Sequence, residues 1–177
     1  MRHRAKQLHE DRSGLALVEF AVTLPVLLVL FLGSYQLSDA IACQRKVGIA
    51  NRTIADLGSR SHRVTPADVD EMLAAAVQVM TPYSAAPAQL RMSQVFTNAS
   101  GQTSVVWSRG RRTPVRAVGS RVAVPKTLAT PNTYLILSEI SYSYDPMVRF
   151  AFVGQLQLTD FLFMSPRNSI AVQCDDC

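Results

Sequence analysis

Residues Ser13–Ser38 read SGLALVEFAVTLPVLLVLFLGSYQLS, and this stretch decides what kind of molecule the chain builds. From Phe20 to Ser38 there is no charged side chain, and most of the residues are large and apolar. In a helix rising about 1.5 Å per residue, that run covers roughly 28 Å, close to the hydrocarbon thickness of a bilayer. Glu19 sits at its leading edge. A carboxylate costs about 2.5–3.5 kcal/mol at mid-membrane on insertion scales and less near the interface, so one kept inside an apolar run points to a function. Just upstream lie Gly14 and a basic leader.

Three kinds of signal can be weighed against these residues. A Sec-type signal peptide has an apolar core of about 7–15 residues and a small-x-small cleavage site. Ser38-Asp39-Ala40 supplies such a site, but the apolar run is too long and carries Glu19. A lipoprotein signal needs Leu or a branched residue three positions before its cysteine, where Cys43 has Ala40. The third is a class III signal of the pilin type, cut between Gly14 and Leu15 with the apolar helix retained. It accounts together for Gly14, for Glu19 at the fifth position after the cut, and for the uninterrupted helix.

The run Gly14-Leu15-Ala16-Leu17-Val18-Glu19-Phe20-Ala21, followed by Leu24-Pro25 and an aliphatic stretch, resembles the TadE/TadG family of pseudopilins. These are minor components of the tight-adherence (Flp, type IVc) pilus system. The resemblance covers residues 13–56; the rest is similar to small TadE-type members in length and layout, and too short for the von Willebrand-like domain of larger TadG proteins. It implies a single-pass protein of the bacterial inner membrane, with a cytoplasmic N-terminus and a periplasmic C-terminal domain. It also implies cleavage after Gly14 by a prepilin peptidase, a role for Glu19 and Phe20 in signal recognition and subunit register, and a part in assembling or priming the pilus. The implied partners are the peptidase, other pilins or pseudopilins, the inner-membrane assembly machinery and the lipid bilayer.

The leader agrees with that topology. Arg2, Arg4, Lys6 and Arg12 outnumber Glu10 and Asp11, with His3 and His9 in addition, and such an excess stays on the cytoplasmic side. Beyond Phe20 the balance is fourteen basic against ten acidic residues, so the pI of about 9.4 reflects a dispersed charge. A solvated surface accounts for it, and nucleic acid is not expected as a partner. With 177 residues, 48% of them apolar, the chain has material for one small domain besides its anchor.

Past the bilayer the helix is expected to continue to Leu57, because Ile41, Val47, Ala50, Ile54 and Leu57 recur at helical spacing. Two to three turns of it would form a membrane-proximal stalk. Pro25 removes one backbone donor inside the span, so a loosened turn is expected there. Gly58–Arg63 reads as a helix stop and connector. Thr65-Pro66-Ala67-Asp68 opens a second helix, capped by Thr65, with Val69, Met72, Leu73, Ala76, Val77 and Met80 as its core stripe. Strands follow: Leu90–Phe96 and Ser104–Trp107 around an Asn98–Gly101 hairpin loop, then Tyr134–Tyr144, then one within Leu156–Met164. Arg109–Pro114 reads as a basic loop, either a solvated connector or a contact for an acidic partner or lipid headgroups. The expected fold is α+β: a long N-terminal transmembrane helix running into a small periplasmic domain, with a second helix on a three- or four-stranded antiparallel sheet. Its divisions are residues 1–14 (leader), 15–57 (membrane and stalk helix), 58–88 (connector and amphipathic helix) and 89–177 (β-rich domain).

Chemistry-bearing residues are few. Once the leader is removed, Leu15 gains a free amine that a neighbouring subunit's Glu19 can meet, and pairing offsets much of the burial penalty of both charges. The alternative is that Glu19 only snorkels to the headgroups. Cys174 and Cys177 form a C-x-x-C at the end of the sequence. A single such pair does not complete a tetrahedral zinc site, His62 has no local partner, and no βαβ context marks a redox motif. A small disulfide is expected in an oxidising periplasm, with free thiols as the alternative; Cys43 would be inert or cross-link subunits. The sequons at Asn51 and Asn98 mean little without a suitable host. No nucleophile–base arrangement, phosphate loop, metal cluster or cofactor motif is recognisable, so no enzyme activity, metal or cofactor is expected. The competing functional reading is a membrane-tethered periplasmic binding or sensor module with an uncleaved signal anchor.

Overall fold

The computed structural model describes residues 13–146 and 154–177. The leader residues Arg2, His3, Arg4, Lys6, His9, Glu10, Asp11 and Arg12 lie outside the described residues. Helix α1 spans Ser13–Arg60, 48 residues, or about 72 Å at the standard rise. Its two halves live in different environments. Fourteen large apolar side chains between Leu15 and Leu37 are exposed, including Leu17, Phe20, Leu27 and Phe31. From Cys43 onward one stripe is fully buried: Cys43, Val47, Ala50 and Ile54. The anchor helix is therefore also a core element of the domain, and the free stalk expected above Ser38 is not there. Ile41, expected on the buried stripe, is 47% exposed, and Cys43 takes its place. Pro25 stays within the helix. The hydroxyls of Thr23, Ser34 and Ser38 donate back to carbonyls three or four residues earlier, which lowers the cost of carrying them in lipid.

Gly58 does not stop α1. It lies where the helix passes closest to the sheet, and a Cβ there would stand 2.8 Å from Met92 Sδ and 3.4 Å from Ile136 Cγ2. Gly58→Leu is expected to overfill this contact and to cost about 1–3 kcal/mol, read as a lower Tm of the detergent-solubilised full chain.

A two-residue strand β1 (Arg63–Val64) leads to helix α2 (Pro66–Gln78). Thr65 caps α2 as expected: its side chain accepts from Asp68 N at 3.2 Å while the Asp68 carboxylate accepts from Thr65 N at 2.8 Å. Val69, Leu73, Ala76, Val77 and Met80 are buried and Met72 is partly so. The sheet then forms from β2 (Ala88–Thr97), β3 (Thr103–Arg111), β4 (Thr133–Tyr144) and β5 (Leu156–Met164), in the order β3-β2-β4-β5 and antiparallel throughout. A last short strand, β6 (Gln173–Cys174), pairs parallel with β1. Two helices on one antiparallel sheet make the α+β fold.

Alternation along β4 assigns the two faces. Ile136, Ile140, Tyr142 and Tyr144 meet both helices in the main core, together with Leu90, Met92 and Trp107. Leu135 and Leu137 point the other way, into a smaller cluster with Val95 and Val105 that Val122, Val124 and Phe163 pack against. The segment before β4 closes over that cluster by backbone bonds such as Gly119 N to Val105 O at 2.8 Å. The basic stretch expected as a loop is in part strand: Arg109, Gly110 and Arg111 pair with Met92, Arg91 and Leu90. Gly110 permits a tight return there, since a Cβ would lie 2.4 Å from the Thr113 carbonyl oxygen.

Candidate functional site

Gly14, Leu15, Glu19 and Phe20 occupy the first two turns of α1, all exposed. Nothing lies within 4 Å of where a Gly14 Cβ would be, so the Gly14–Leu15 peptide is sterically open among the described residues. Leu15 and Glu19 are four residues apart and share one helix face. No hydrogen bond or ion pair engages the Glu19 carboxylate among the described residues, and the carbonyl of Glu19 accepts from Thr23 Oγ1 at 2.9 Å. The face is thus an apolar surface carrying one acid, with no partner for it among the described residues.

Where α1 leaves its apolar run, a polar clamp holds it to the sheet. Asp39, the first charged residue after Glu19, accepts from the Tyr83 hydroxyl at 2.8 Å through Oδ1 and from the Tyr144 hydroxyl through Oδ2. The two rings meet edge to face at 6.4 Å. Burial, reinforced by the hydrogen bond to Asp39 and its charge, pushes the Tyr83 phenol up to about 12 and the Tyr144 phenol higher still. Both hydroxyls therefore stay donors at any physiological pH. One turn on, burial and then the Asp39 charge push the Cys43 thiol up to about 11. With 0% exposure it is a protonated core residue, unsuited to cross-linking in this fold.

A second cluster, unmarked by any sequence motif, lies on the opposite face of the sheet. Glu139 of β4 accepts from Arg91 Nε at 2.7 Å and from both Arg116 Nε and Nη2, at 2.9 and 2.7 Å. Burial works to raise its pKa, but the hydrogen bonds and charges of Arg116 and Arg91 together outweigh it and hold the carboxyl at about 2. This cluster fixes the loop after β3 to the central strands. Arg109 reaches Asp70 of α2 at 2.8 Å, and Arg112 donates to the carbonyls of Ala85 and Ala86. Two guanidiniums of the basic stretch are thus spent within the fold.

Cys174 and Cys177 are joined as a disulfide with a Cα–Cα distance of 5.6 Å. They sit beside β1, at the far end of α1 from Gly14. The tail is held there independently of that bond: Val172 is buried, and its carbonyl accepts from Trp107 Nε1 at 2.8 Å. Among the described residues no group of three or more potential metal ligands occurs, and His62 joins none. Asn51, the first sequon asparagine, is fully buried with Nδ2 on Asp160 at 3.1 Å, and Asn98 folds its side chain over the hairpin turn. Asn51 is therefore not presented as a glycan acceptor.

Neither the curated proteins nor the solved structures compared with this chain gave a match. A family model does: TadE-like protein, over residues 14–55. The match starts at the glycine before the apolar run and ends in the part of α1 that enters the core. The chain carries a TadE-like segment over residues 14–55, in agreement with the resemblance drawn from Gly14, Glu19, Phe20 and Pro25.

Proposed function

We propose that the chain is a minor pseudopilin acting in assembly of a tight-adherence pilus. The observation that carries this reading is that the TadE-like match, residues 14–55, falls within the single helix α1, Ser13–Arg60, and covers most of it. That helix is exposed and apolar in its first half and buried in the domain core in its second. The family suggests involvement in the Tad pilus system and association with its machinery in general. One N-terminal apolar helix is consistent with a single-pass anchor. In this reading a prepilin peptidase cuts between Gly14 and Leu15 on the cytoplasmic side. The domain stands in the periplasm, and the apolar face of α1 packs against other pilins or pseudopilins. Catalysis, metal and cofactor have no part in it.

Glu19 sets the register. The new Leu15 amine of one subunit meets the Glu19 carboxylate of the next within an apolar assembly, where either charge alone would be costly. Glu19→Ala tests this. The variant should insert at least as well as wild type, since it loses a charge from the apolar segment, and should still be cut to a substantial extent. It should fail to restore pili in cells lacking the wild-type protein. Normal pili from a processed Glu19→Ala protein would make Glu19 a mere interfacial residue.

A further inference from the structure

The domain edge nearest the anchor carries an apolar notch of about 220 Å³, lined by Gly33, Gln36, Leu37 and Ala40 of α1 and by Tyr144, Pro146 and Leu156 at the adjoining ends of β4 and β5. Its height on the molecule follows from the sequence. The charge-free run ends at Ser38, so Gly33 lies about 7 Å inside that end along the helix axis. The domain thus begins before the apolar run stops. Leu37 is 64% exposed and Leu156 40% exposed. One turn before Gly33 on α1 stand the exposed Val29 and Leu30, so the notch, in which Gln36 is the one polar side chain, adjoins the exposed apolar face of the helix. Asp39, the residue directly after the charge-free run, is held by the hydroxyls of Tyr83 and of the buried Tyr144, so the polar clamp of the domain lies at the end of that run.

We propose that this edge of the domain is a second lipid contact, seated in the interfacial layer of the bilayer with acyl chains filling the notch. The inference rests on the reading of α1 as a membrane anchor. Continuity of the notch with that lipid-facing surface is what selects lipid as occupant. Seated this way, the domain is held in one orientation on the membrane, which presents the same face of α1 to each incoming subunit.

The test uses the full chain in phosphatidylcholine vesicles whose acyl chains are brominated either near the headgroup or at mid-chain, bromine being a contact quencher of tryptophan. Trp107 is buried and gives a constant background. Leu156→Trp should lose emission mainly with bromine near the headgroup, and Leu27→Trp mainly with bromine at mid-chain. Val118→Trp, at a 69% exposed position on the far loop, should lose none. Gln155→Trp, at an exposed neighbouring position, gives the same readout should Leu156→Trp disturb the fold. If Leu27→Trp is quenched while the 155 and 156 variants behave like Val118→Trp, the lipid contact is refuted and the anchor stands. Shielding of residue 156 from both bromolipid and aqueous iodide would mean that protein fills the notch, which also overturns the proposal. Absence of quenching at Leu27→Trp would remove the anchor reading and the inference with it.

Discussion

Gly14→Leu is expected to leave the protein in the membrane at full length, heavier than the mature form by its 14-residue leader. Cleavage between Gly14 and Leu15 requires the backbone to approach a protease closely, and a residue without a β-carbon permits it. Among the described residues no packing depends on that glycine, since a Cβ at Gly14 meets nothing within 4 Å there. A leucine also adds to the apolar segment and so favours insertion. The expected result is therefore a clean separation: normal insertion, normal domain stability and almost no processing. Intact-mass measurement on the membrane fraction reads it directly. A product of wild-type mature mass from Gly14→Leu would remove the prepilin peptidase from the account.

The second large effect is on stability. Glu139→Gln keeps the side-chain shape but leaves Arg91 and Arg116 facing a neutral amide. A carboxyl held at about 2 in the folded protein, against an ordinary value of 4.5, implies at most about 3 kcal/mol of stabilisation at neutral pH. The side chain retains 21% of its exposure, so screening reduces the expected loss to about 2 kcal/mol. The pH dependence has a definite sign. Because the folded pKa is depressed, the contribution is complete above about 4.5 and disappears as pH falls toward about 2. The gap in Tm between wild type and Glu139→Gln should be full at pH 7 and close across that window. A gap independent of pH would show that the variant acts through packing rather than charge.

What the sequence made legible follows from local rules. The apolar run, the Thr65–Asp68 cap, the Asn98–Gly101 turn and the alternation of Tyr134–Tyr144 are each written in neighbouring residues, and each appears in the fold. What stayed hidden depends on register between distant segments. Arg91 and Glu139 become partners only because β2 and β4 pair with Arg91 opposite Glu139. Gly58 looks like a helix stop until Met92 and Ile136 are seen beside it. Cys43 displaced Ile41 from the buried stripe because the sheet approaches α1 from a side that helical spacing alone does not specify. The clamp at the end of the apolar run does have a local mark. Asp39, directly after a long charge-free run, marks where α1 needs a polar partner, and Tyr83 and Tyr144 supply it.

The processing claim, on which the pseudopilin account stands, is tested most directly by the N-terminal sequence of the protein extracted from membranes of cells with an intact pilus system. The account predicts a single start at Leu15, reading LALVEFAVTLP, with the apolar helix retained. A start at Met1 would mark an uncleaved anchor and favour a tethered binding or sensor module. A start at Ile41, after Ser38-Asp39-Ala40, would mark an ordinary secretory signal and contradict the account outright.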